Sequence, residues 1–349
     1  MSIKLKFFDF FCGAGGLSLG LKLAGLKPVG GLDISKTALE TYRKNIKAKT
    51  LQRDAFKVKF EDLQSYLDDV DMVVGCPPCQ GFSMLRKANP KLKGLSDPRD
   101  DLVVMFAKIV DVFKPKFVLF ENVPGVIRDV RFKKVLRILR RNKYFFVYAV
   151  LNAADYGVPQ RRRRLILIAS QDYKVELPSR EFGPPNSKEV RRGELLPWKT
   201  VRDAIGDLPP VKAGDTHPKD PLHRAKKLPE HWLRLIKAIP KNGGSRLDAP
   251  EELWLPAHRR CGRKGFTDVF GRLHWDKPAP TLTTGFYDPS KGRFVHPEQD
   301  RGLTLREGAR LQTFPDNFKF YGSFTQIARQ IGEAFPPLFA KKLAEAIRS

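Results

Sequence analysis

The feature that most constrains the fold of this 349-residue chain is the alternation of short apolar runs with helical patterns in its first half. Leu5–Phe11 predicts a strand, the letters CGAGG follow directly after it, and Leu17–Leu26 has the apolar spacing of a helix. Repeated alternation of this kind is typical of βαβ units, which build a mostly parallel, doubly wound α/β sheet. The pattern predicts further strands and helices at Pro28–Ile34, Lys36–Asn45, Asp71–Cys76, Leu102–Phe113, Lys116–Glu121, Phe132–Arg141, Tyr144–Ala149 and Leu165–Ala169.

The composition and the periodicity of the chain change after about residue 172. Prolines and glycines become frequent, regular periodicity fades, and all four tryptophans of the chain lie in this part. A helical pattern returns over Phe324–Ser349. We therefore expect a first domain over 1–172, a smaller irregular domain over 173–324, and a C-terminal segment over 325–349 that completes the first domain.

Charge and cysteine content restrict the possible partners and the compartment. The formal net charge of +26 points to a polyanionic partner, although a cationic protein that is simply well solvated fits the same number. The basic helix pattern over Phe132–Arg141 is likewise a solvated face first and a phosphate contact second. Four cysteines are too few for a disulfide scaffold, and no stretch has the length of a signal or membrane segment. These observations predict a cytoplasmic protein.

A glycine-rich loop lies where the first predicted strand turns into a helix. Gly13, Gly15 and Gly16 allow a ligand to approach the backbone closely, although a tight structural turn explains the same residues. Asp33 ends the second predicted strand, where a carboxylate can accept hydrogen bonds from a ribose diol. Asp54 lies where a third strand would end. The order and spacing of these residues favour a cofactor of the adenosine type.

The segment GCPPCQGFS, at Gly75–Ser83, follows a buried strand and so lies at the edge of the sheet where ligands bind. Three interpretations of Cys76 and Cys79 compete. Half of a zinc site is one, but the other two cysteines stand far apart in the sequence. A redox pair is another, although the two prolines favour an extended loop over the start of a helix. The third is a nucleophilic cysteine held at the end of a strand.

The segment PPCQGFS resembles the nucleophile loop of the bacterial DNA (cytosine-5) methyltransferases, and DFFCGAGG resembles their cofactor loop. Further motifs of that family follow in the family's order, and the resemblance covers nearly the whole chain except about residues 172–271. Because six or more motifs match in order, a chance match is very improbable. These further motifs are DPRDDL at Asp97–Leu102, ENVPG at Glu121–Gly125, VPQRRRR at Val158–Arg164, WDKPAPTLTT at Trp275–Thr284, LTLREGARLQTFPD at Leu303–Asp316 and IGEAFPP at Ile331–Pro337.

The resemblance implies the methyltransferase fold and transfer of a methyl group from S-adenosylmethionine to carbon 5 of a cytosine flipped out of a short duplex sequence, without a metal. It assigns to Cys79 the attack on carbon 6 and to Glu121 a hydrogen bond or proton for the ring nitrogen. Arg162 and Arg164 would hold the base carbonyl and a phosphate. The residues implied for the cofactor are Phe11, Gly13, Gly16, Asp33, Ile34, Asp54, Pro78, Leu102 and Glu333.

For DNA, the sequence predicts contacts beside the nucleophile and in the region over 172–271, which takes the position of the family's recognition domain. We expect phosphate contact and base readout equally from the basic residues, because Arg does both. The residues predicted to contact DNA are Gln80, Ser83, Gln160, Arg259, Arg260, Arg263 and Lys264.

Two residues depart from the family pattern: Glu333 stands where the family usually has Asn, and Asp33 where it usually has Glu. An RNA methyltransferase on the same fold is a rival, but Gly81, Phe82 and Ser83 favour DNA. A non-catalytic DNA-binding module is another, but it would be expected to lack the cysteine or the glutamate. We expect a monomeric modification enzyme, with a cognate restriction endonuclease that acts on the same site without stable binding.

Overall fold

The computed structural model describes residues 4–78, 97–265 and 267–348, and its centre is a seven-stranded sheet. The strand order is β3-β2-β1-β4-β5-β7-β6, and only β7 runs antiparallel to its two neighbours. The predicted mixed, mostly parallel α/β class is thereby confirmed. The strands are β1 Lys6–Phe10, β2 Lys27–Asp33, β3 Lys49–Gln52, β4 Met72–Gly75, β5 Phe117–Asn122, β6 Phe145–Asn152 and β7 Arg163–Ser170.

Helices cover both faces of the sheet, because successive side chains of the buried strands point to opposite faces. Phe8 and Phe10 of β1 pack in one apolar cluster with Phe106. Phe7 packs in another cluster with Leu21 and Phe339, so β1 is buried on both sides. The helices of this part are α1 Gly16–Leu23, α2 Lys36–Ile46, α3 Phe60–Leu67, α4 Leu102–Phe113 and α5 Val130–Arg141.

Beyond β7, the elements of the described chain are short until the C-terminal helices. Four short strands lie here, three of two residues and one of five: β8 Phe182–Gly183, β9 Leu196–Pro197, β10 Thr216–His217 and β11 Asp220–Arg224. The helices are α6 Lys188–Arg191, α7 Val201–Ile205, α8 Glu230–Ala238, α9 Pro256–Cys261, α10 Leu305–Leu311, α11 Phe324–Glu333 and α12 Pro337–Arg348. None of the helices in the described residues is both long and apolar enough to cross a membrane.

The apolar clusters do not follow the predicted domain boundaries closely. One cluster belongs wholly to the irregular part and includes Leu228, Trp254 and Val295. Another cluster joins Leu39 of α2 to Ile327 of α11, and so crosses residues 172 and 324. The division into domains at those two positions therefore stays a prediction.

Most predicted elements lie within a few residues of the observed ones. The helix predicted over Leu17–Leu26 ends earlier, at Leu23, because Gly25 adopts a φ of 92° and turns the chain into β2. The single C-terminal helical pattern is two helices, since Pro336 and Pro337 lack the N–H that a continuous helix needs. The sequence analysis did not predict the helix Phe60–Leu67.

Candidate active site

The ends of β4 and β5 place Cys76 and Asn122 next to Glu121, one of the predicted catalytic residues. In their parallel register Gly75 lies opposite Phe120, so Cys76 follows beside Glu121. Glu121 is 8% exposed and Asn122 is 1% exposed. The side-chain amide of Asn122 donates to the carbonyl oxygen of Pro77 at 3.2 Å. This hydrogen bond ties the start of the cysteine loop to the strand that carries the glutamate.

Arg164 lies beside Glu121 because β7 pairs antiparallel with β5, with Leu165 opposite Asn122. Arg164 Nε is 2.8 Å from Glu121 Oε1, and both side chains are only 13% and 11% exposed. Ion pairs with this little contact with water are screened less than surface pairs. The pair therefore fixes the glutamate carboxylate at the carboxyl edge of the sheet.

Arg162 also points into the protein, but towards a different partner. It is 4% exposed, and its Nη1 donates to the carbonyl oxygen of Leu282 at 3.3 Å. Arg162 precedes β7, which begins at Arg163, so the two arginines of the motif lie at the start of one strand. The structure thus brings Glu121 and Arg164 into direct contact and ties Arg162 to the segment that contains Leu282.

Cys76 is a thiol in an acidic environment. Burial raises its pKa well above the ordinary value, and the carboxyl groups of Glu121 and Asp9 raise it further. A thiol that keeps its proton is a poor nucleophile and a poor metal ligand. In residues 4–78, 97–265 and 267–348 no group of three metal-binding side chains lies together. Cys79, Gln80 and Ser83 lie outside the described residues.

Gln160 is fully buried, and both ends of its side-chain amide are used within the protein. Its oxygen accepts from the backbone N–H of Leu282 at 2.9 Å, and its nitrogen donates to the Gln312 side chain at 3.0 Å. A contact of Gln160 with DNA, as the sequence predicts, would first require these hydrogen bonds to break.

The predicted cofactor loop is held by a carboxylate. Asp33 Oδ2 accepts from the backbone N–H of Gly13 at 2.8 Å, and Oδ1 accepts from that of Ser35 at 2.8 Å. Burial raises the pKa of Asp33, while these two N–H groups act against the shift. Gly13 has a φ of 51° and nothing within 4 Å of the place where a Cβ would be, so the space in front of the loop is open.

The C-terminal part of the chain closes the other side of this loop. A Cβ on Gly16 would lie 2.3 Å from the carbonyl oxygen of Phe335, so only glycine fits there. Glu333, two residues earlier, accepts from Arg329 Nε at 3.0 Å and keeps an exposed side chain. The carboxylate that replaces the family's usual Asn is therefore paired with a cation from its own helix.

The remaining predicted cofactor residues surround the same edge. Ile34 is 67% exposed directly after Asp33, and Phe11 lies half-buried at a φ of 60°. An adenosine group fits these features, because apolar side chains can cover its ring and a carboxylate can accept from its diol. Of the other residues, Asp54 accepts from the N–H of Phe56 at 3.1 Å, Pro78 is half-buried, and Leu102 begins α4 and is 7% exposed.

The basic cluster predicted to contact DNA lies on and after α9, where its members differ in their contacts. Arg259 is engaged with the backbone: Nε donates to the carbonyl oxygen of Trp254 at 3.0 Å and Nη2 to that of Glu252 at 2.7 Å. Arg260 and Lys264 are exposed, and Arg263 makes only an exposed 3.7 Å pair with a glutamate. All four predicted cations are therefore exposed, and Arg259 in addition holds two backbone carbonyl oxygens.

The sequence analysis assigned no role to three residues that make notable contacts: Cys76, Asn122 and Arg329. Asn122 stands inside the ENVPG motif, which could have signalled it. Cys76 is placed beside Glu121 only by the pairing of β4 with β5, which no local pattern reveals. Arg329 precedes Glu333 by four positions, the spacing of an ion pair on a helix, and so could have been found.

Comparison with known proteins shows to which family the chain belongs. The family model for the C-5 cytosine-specific DNA methylase matches residues 5–349. The chain is 33% identical over 350 residues to the Type II methylase M.HgiDII of Herpetosiphon aurantiacus, covering 97% of this chain and 94% of that protein. It is 35% identical over 353 residues to the Type II methyltransferase M1.HphI of Haemophilus parahaemolyticus, covering 99% and 87%.

Among solved structures, the chain is similar to a protein from an E. coli prophage described as a DNA modification methyltransferase. The TM-score is 0.74 at 23% sequence identity, and the match covers 99% of each chain. At this level of identity the likeness shows the fold alone, which is that of the methyltransferases that use S-adenosylmethionine.

Proposed function

Because the chain belongs to the C-5 cytosine-specific DNA methylase family, it is a DNA cytosine-5 methyltransferase, and we propose that it methylates one short duplex sequence through a covalent bond to Cys79. The observation that carries this proposal is the buried Glu121–Arg164 pair beside the loop that leads to the cysteine. Its Type II relatives support a role in restriction–modification. We propose in addition that the protein is a cytoplasmic monomer and that a separate endonuclease acts on the same sequence.

The methyl donor that the family implies is S-adenosylmethionine, which supplies an electrophilic methyl group when bound. The residues that would hold it are those around the glycine loop. Gly13 leaves room for a ligand, and Asp33 would accept hydrogen bonds from the ribose in addition to those from the loop. Phe11, Ile34, Asp54, Pro78 and Leu102 would line the remaining sides, with Gly16 and Glu333 where the C-terminal segment closes the loop.

In the proposed mechanism, the Cys79 thiolate forms a bond to carbon 6 of a cytosine that has been flipped out of the duplex. Electron density then moves onto carbon 5, which can attack the methyl group of a sulfonium, while the S–CH3 bond breaks and its electron pair stays on the sulfur of the departing thioether. Cys79 is joined by two peptide bonds to Pro77, whose carbonyl oxygen accepts from Asn122 at 3.2 Å. Loss of the proton at carbon 5 and departure of the thiolate release the methylated base and regenerate the nucleophile.

Glu121 would bind the cytosine edge that carries the ring nitrogen and the exocyclic amine. Arg164 holds the carboxylate of Glu121 in place and contributes a positive charge where the covalent adduct becomes anionic. Arg162, nearby but tied to the carbonyl oxygen of Leu282, would provide a second cation for the base carbonyl or a phosphate. Gln80 and Ser83 stay predictions for DNA contact.

We further propose that the irregular part of the chain recognises the DNA sequence, since it lies outside the sheet that carries the chemistry. Its exposed cations Arg260, Arg263 and Lys264 would contact the duplex, whereas Arg259 supports the backbone beneath them. An RNA substrate has less support, because the relatives above 30% identity are Type II methylases or methyltransferases.

The proposal is tested by expressing the chain in a host without cytosine methylation and sequencing bisulfite-treated genomic DNA. We expect cytosines in one short sequence to be protected from conversion. Cys79→Ala and Glu121→Gln should abolish the protection, because they remove the nucleophile and the carboxylate. Glu61→Gln serves as the matched control for Glu121→Gln, since Glu61 is exposed on α3, and it should retain protection.

If bisulfite converts every cytosine in a host that produces soluble wild-type protein, the proposed DNA substrate is contradicted. Protection that persists in Cys79→Ala would contradict the covalent mechanism while leaving the substrate intact.

A further inference from the structure

Three arginines are fully buried in the irregular part of the chain, and they differ in how many of their donors are satisfied. Arg272 donates to four backbone carbonyl oxygens and pairs with Asp300. Arg301 binds Glu307 with two nitrogens, at 2.8 and 2.7 Å, and also donates to backbone oxygens. Arg246, 1% exposed, makes a single hydrogen bond, from Nη2 to the carbonyl oxygen of Gly262 at 3.2 Å.

The other donors of Arg246 are unmet within the described part of the protein. Nε and Nη1 are buried and have no hydrogen-bond partner. The guanidinium lies over the ring of Trp254, with its central carbon 4.9 Å from the ring centre. Nδ1 of the neighbouring His258 is likewise buried without a partner. Two neighbouring side chains therefore leave buried polar atoms unsatisfied at one place.

A buried cation without an anionic partner costs free energy, because burial removes its hydration without supplying acceptors. Burial accordingly lowers the pKa of Arg246. Stacking on Trp254 offsets only part of such a cost. The contrast with Arg272 and Arg301 indicates that Arg246 does not serve only to hold the free protein together. Its donors are satisfied in another state, when acceptors arrive from outside.

The layer above Arg246 is the segment Pro256–Lys264, which we call the α9 cover. It presents Arg260, Arg263 and Lys264 to solvent, the cations proposed to meet DNA. Gly262 in this cover has a φ of 56° and a ψ of −149°, with nothing within 4 Å of a Cβ position. That backbone conformation is open almost only to glycine, so the cover contains a point at which it can change direction.

We propose that Arg246 is a DNA-binding residue whose Nε and Nη1 donors take hydrogen-bond acceptors of the duplex when the α9 cover shifts on binding. This inference rests on the proposed function as a DNA methyltransferase. Nε–H and Nη1–H point to different edges of the guanidinium, so each forms a fork with Nη2 once the shift frees Nη2 from the Gly262 carbonyl oxygen. Either fork suits phosphate oxygens or the O6 and N7 atoms of a guanine. The cations on the cover first attract the duplex, and the buried guanidinium then binds it directly.

The test uses Arg246→Met in the full-length protein, since Met retains the volume and can pack on Trp254 but carries no charge. We expect its Tm to equal or exceed that of the wild type, because an unsatisfied buried charge is removed. Its affinity for the target sequence of the enzyme should fall about 10- to 100-fold, as expected when charge-assisted hydrogen bonds are lost. Arg272→Met is the matched control, and its Tm should fall because five acceptors lose their donor.

Affinities are measured by fluorescence anisotropy and referred to the folded fraction, which the stoichiometry of S-adenosylmethionine binding reports. The target duplex is the one identified for the wild type by bisulfite sequencing, so a failure of the proposed function is recognised before this test begins. Unchanged affinity of folded Arg246→Met, whatever its Tm, would overturn the inference and leave the residue a structural role.

Two further measurements on Arg246→Met separate the sources of the acceptor. Loss of a phosphate contact weakens binding to all sequences alike and reduces the salt dependence of log Kd by about one. Loss of a guanine contact weakens binding to the target alone and relaxes discrimination at one base pair. Either pattern supports the inference and identifies the acceptor.

Discussion

His296 is expected to make this protein sensitive to mild acid. The imidazole is 3% exposed, and its Nδ1 accepts from the backbone N–H groups of Glu298 at 3.1 Å and Gln299 at 2.9 Å. A ring nitrogen that accepts two hydrogen bonds carries no proton, so the folded state requires neutral histidine. Nε2 lies 3.7 Å from the buried carboxylate of Glu307. Protonation of Nδ1 would point its new N–H at these two backbone N–H groups, so that both hydrogen bonds would be lost.

The size of the effect follows from the change in pKa. Burial lowers the pKa of His296 from 6.5 to about 4, although the Glu307 carboxylate opposes the shift. At about 1.36 kcal/mol for each pKa unit, the difference corresponds to about 3.4 kcal/mol of unfolding free energy. The unfolded state takes up the proton first, so this contribution is present above pH 6.5 and is lost as the pH falls towards 4. At pH 5 about 2 kcal/mol of it should be gone.

Urea denaturation at pH 7 and pH 5 measures this loss in the wild type and in His296→Asn, whose side-chain oxygen can still accept from the two N–H groups. The variant should lose about 2 kcal/mol less than the wild type between the two pH values, since it cannot titrate. His231→Asn, at an exposed position of α8, is the control and should behave like the wild type. An equal loss in wild type and His296→Asn would refute the reasoning.

Four other substitutions test the site and the DNA surface. Arg164→Ala removes the 2.8 Å pair with Glu121 and should slow single-turnover methylation by about 100-fold, while calorimetry shows unchanged affinity for S-adenosylmethionine. Gly16→Ala places a Cβ 2.3 Å from the Phe335 carbonyl oxygen, so thermal melting should show a lower Tm and a smaller stabilisation by the cofactor. Arg260→Ala should weaken DNA binding and reduce its salt dependence, measured by salt titration, whereas Arg259→Ala should chiefly lower the Tm because two carbonyl oxygens lose their donor.

The parts of the fold that local patterns determine could be predicted from the sequence. The strand Lys6–Phe10 and the glycine loop after it are set by an apolar run and by residues that tolerate positive φ. The family motifs placed Glu121 and Arg164 in one site, and the structure brings these two side chains into contact. Helix α2 was predicted within one residue because Ser35 caps its start and its apolar spacing is regular.

Features that depend on contacts between distant residues could not be predicted. Nothing near Gln160 in the sequence indicates that its amide joins Leu282 and Gln312, which are more than a hundred positions away. Arg259 and Arg260 are adjacent, chemically identical and both exposed, yet only the fold decides that Arg259 donates to two backbone carbonyl oxygens. The sequence likewise gives no sign that Arg246 is buried with two donors lacking hydrogen-bond partners, while the donors of Arg272 are paired.

The packing of Phe335 against Gly16 also affects the timing of folding during synthesis. Phe335 lies 319 positions after Gly16 in the chain, and Gly20 of α1 is packed just as tightly against Pro337 and Ala340 of α12. At ribosomal rates of roughly 5–20 residues per second, the first helix waits on the order of 15 to 60 s for its partner. The nascent chain therefore holds an incomplete cofactor loop throughout translation, and a product that terminates before α12 should be inactive however well its sheet has formed.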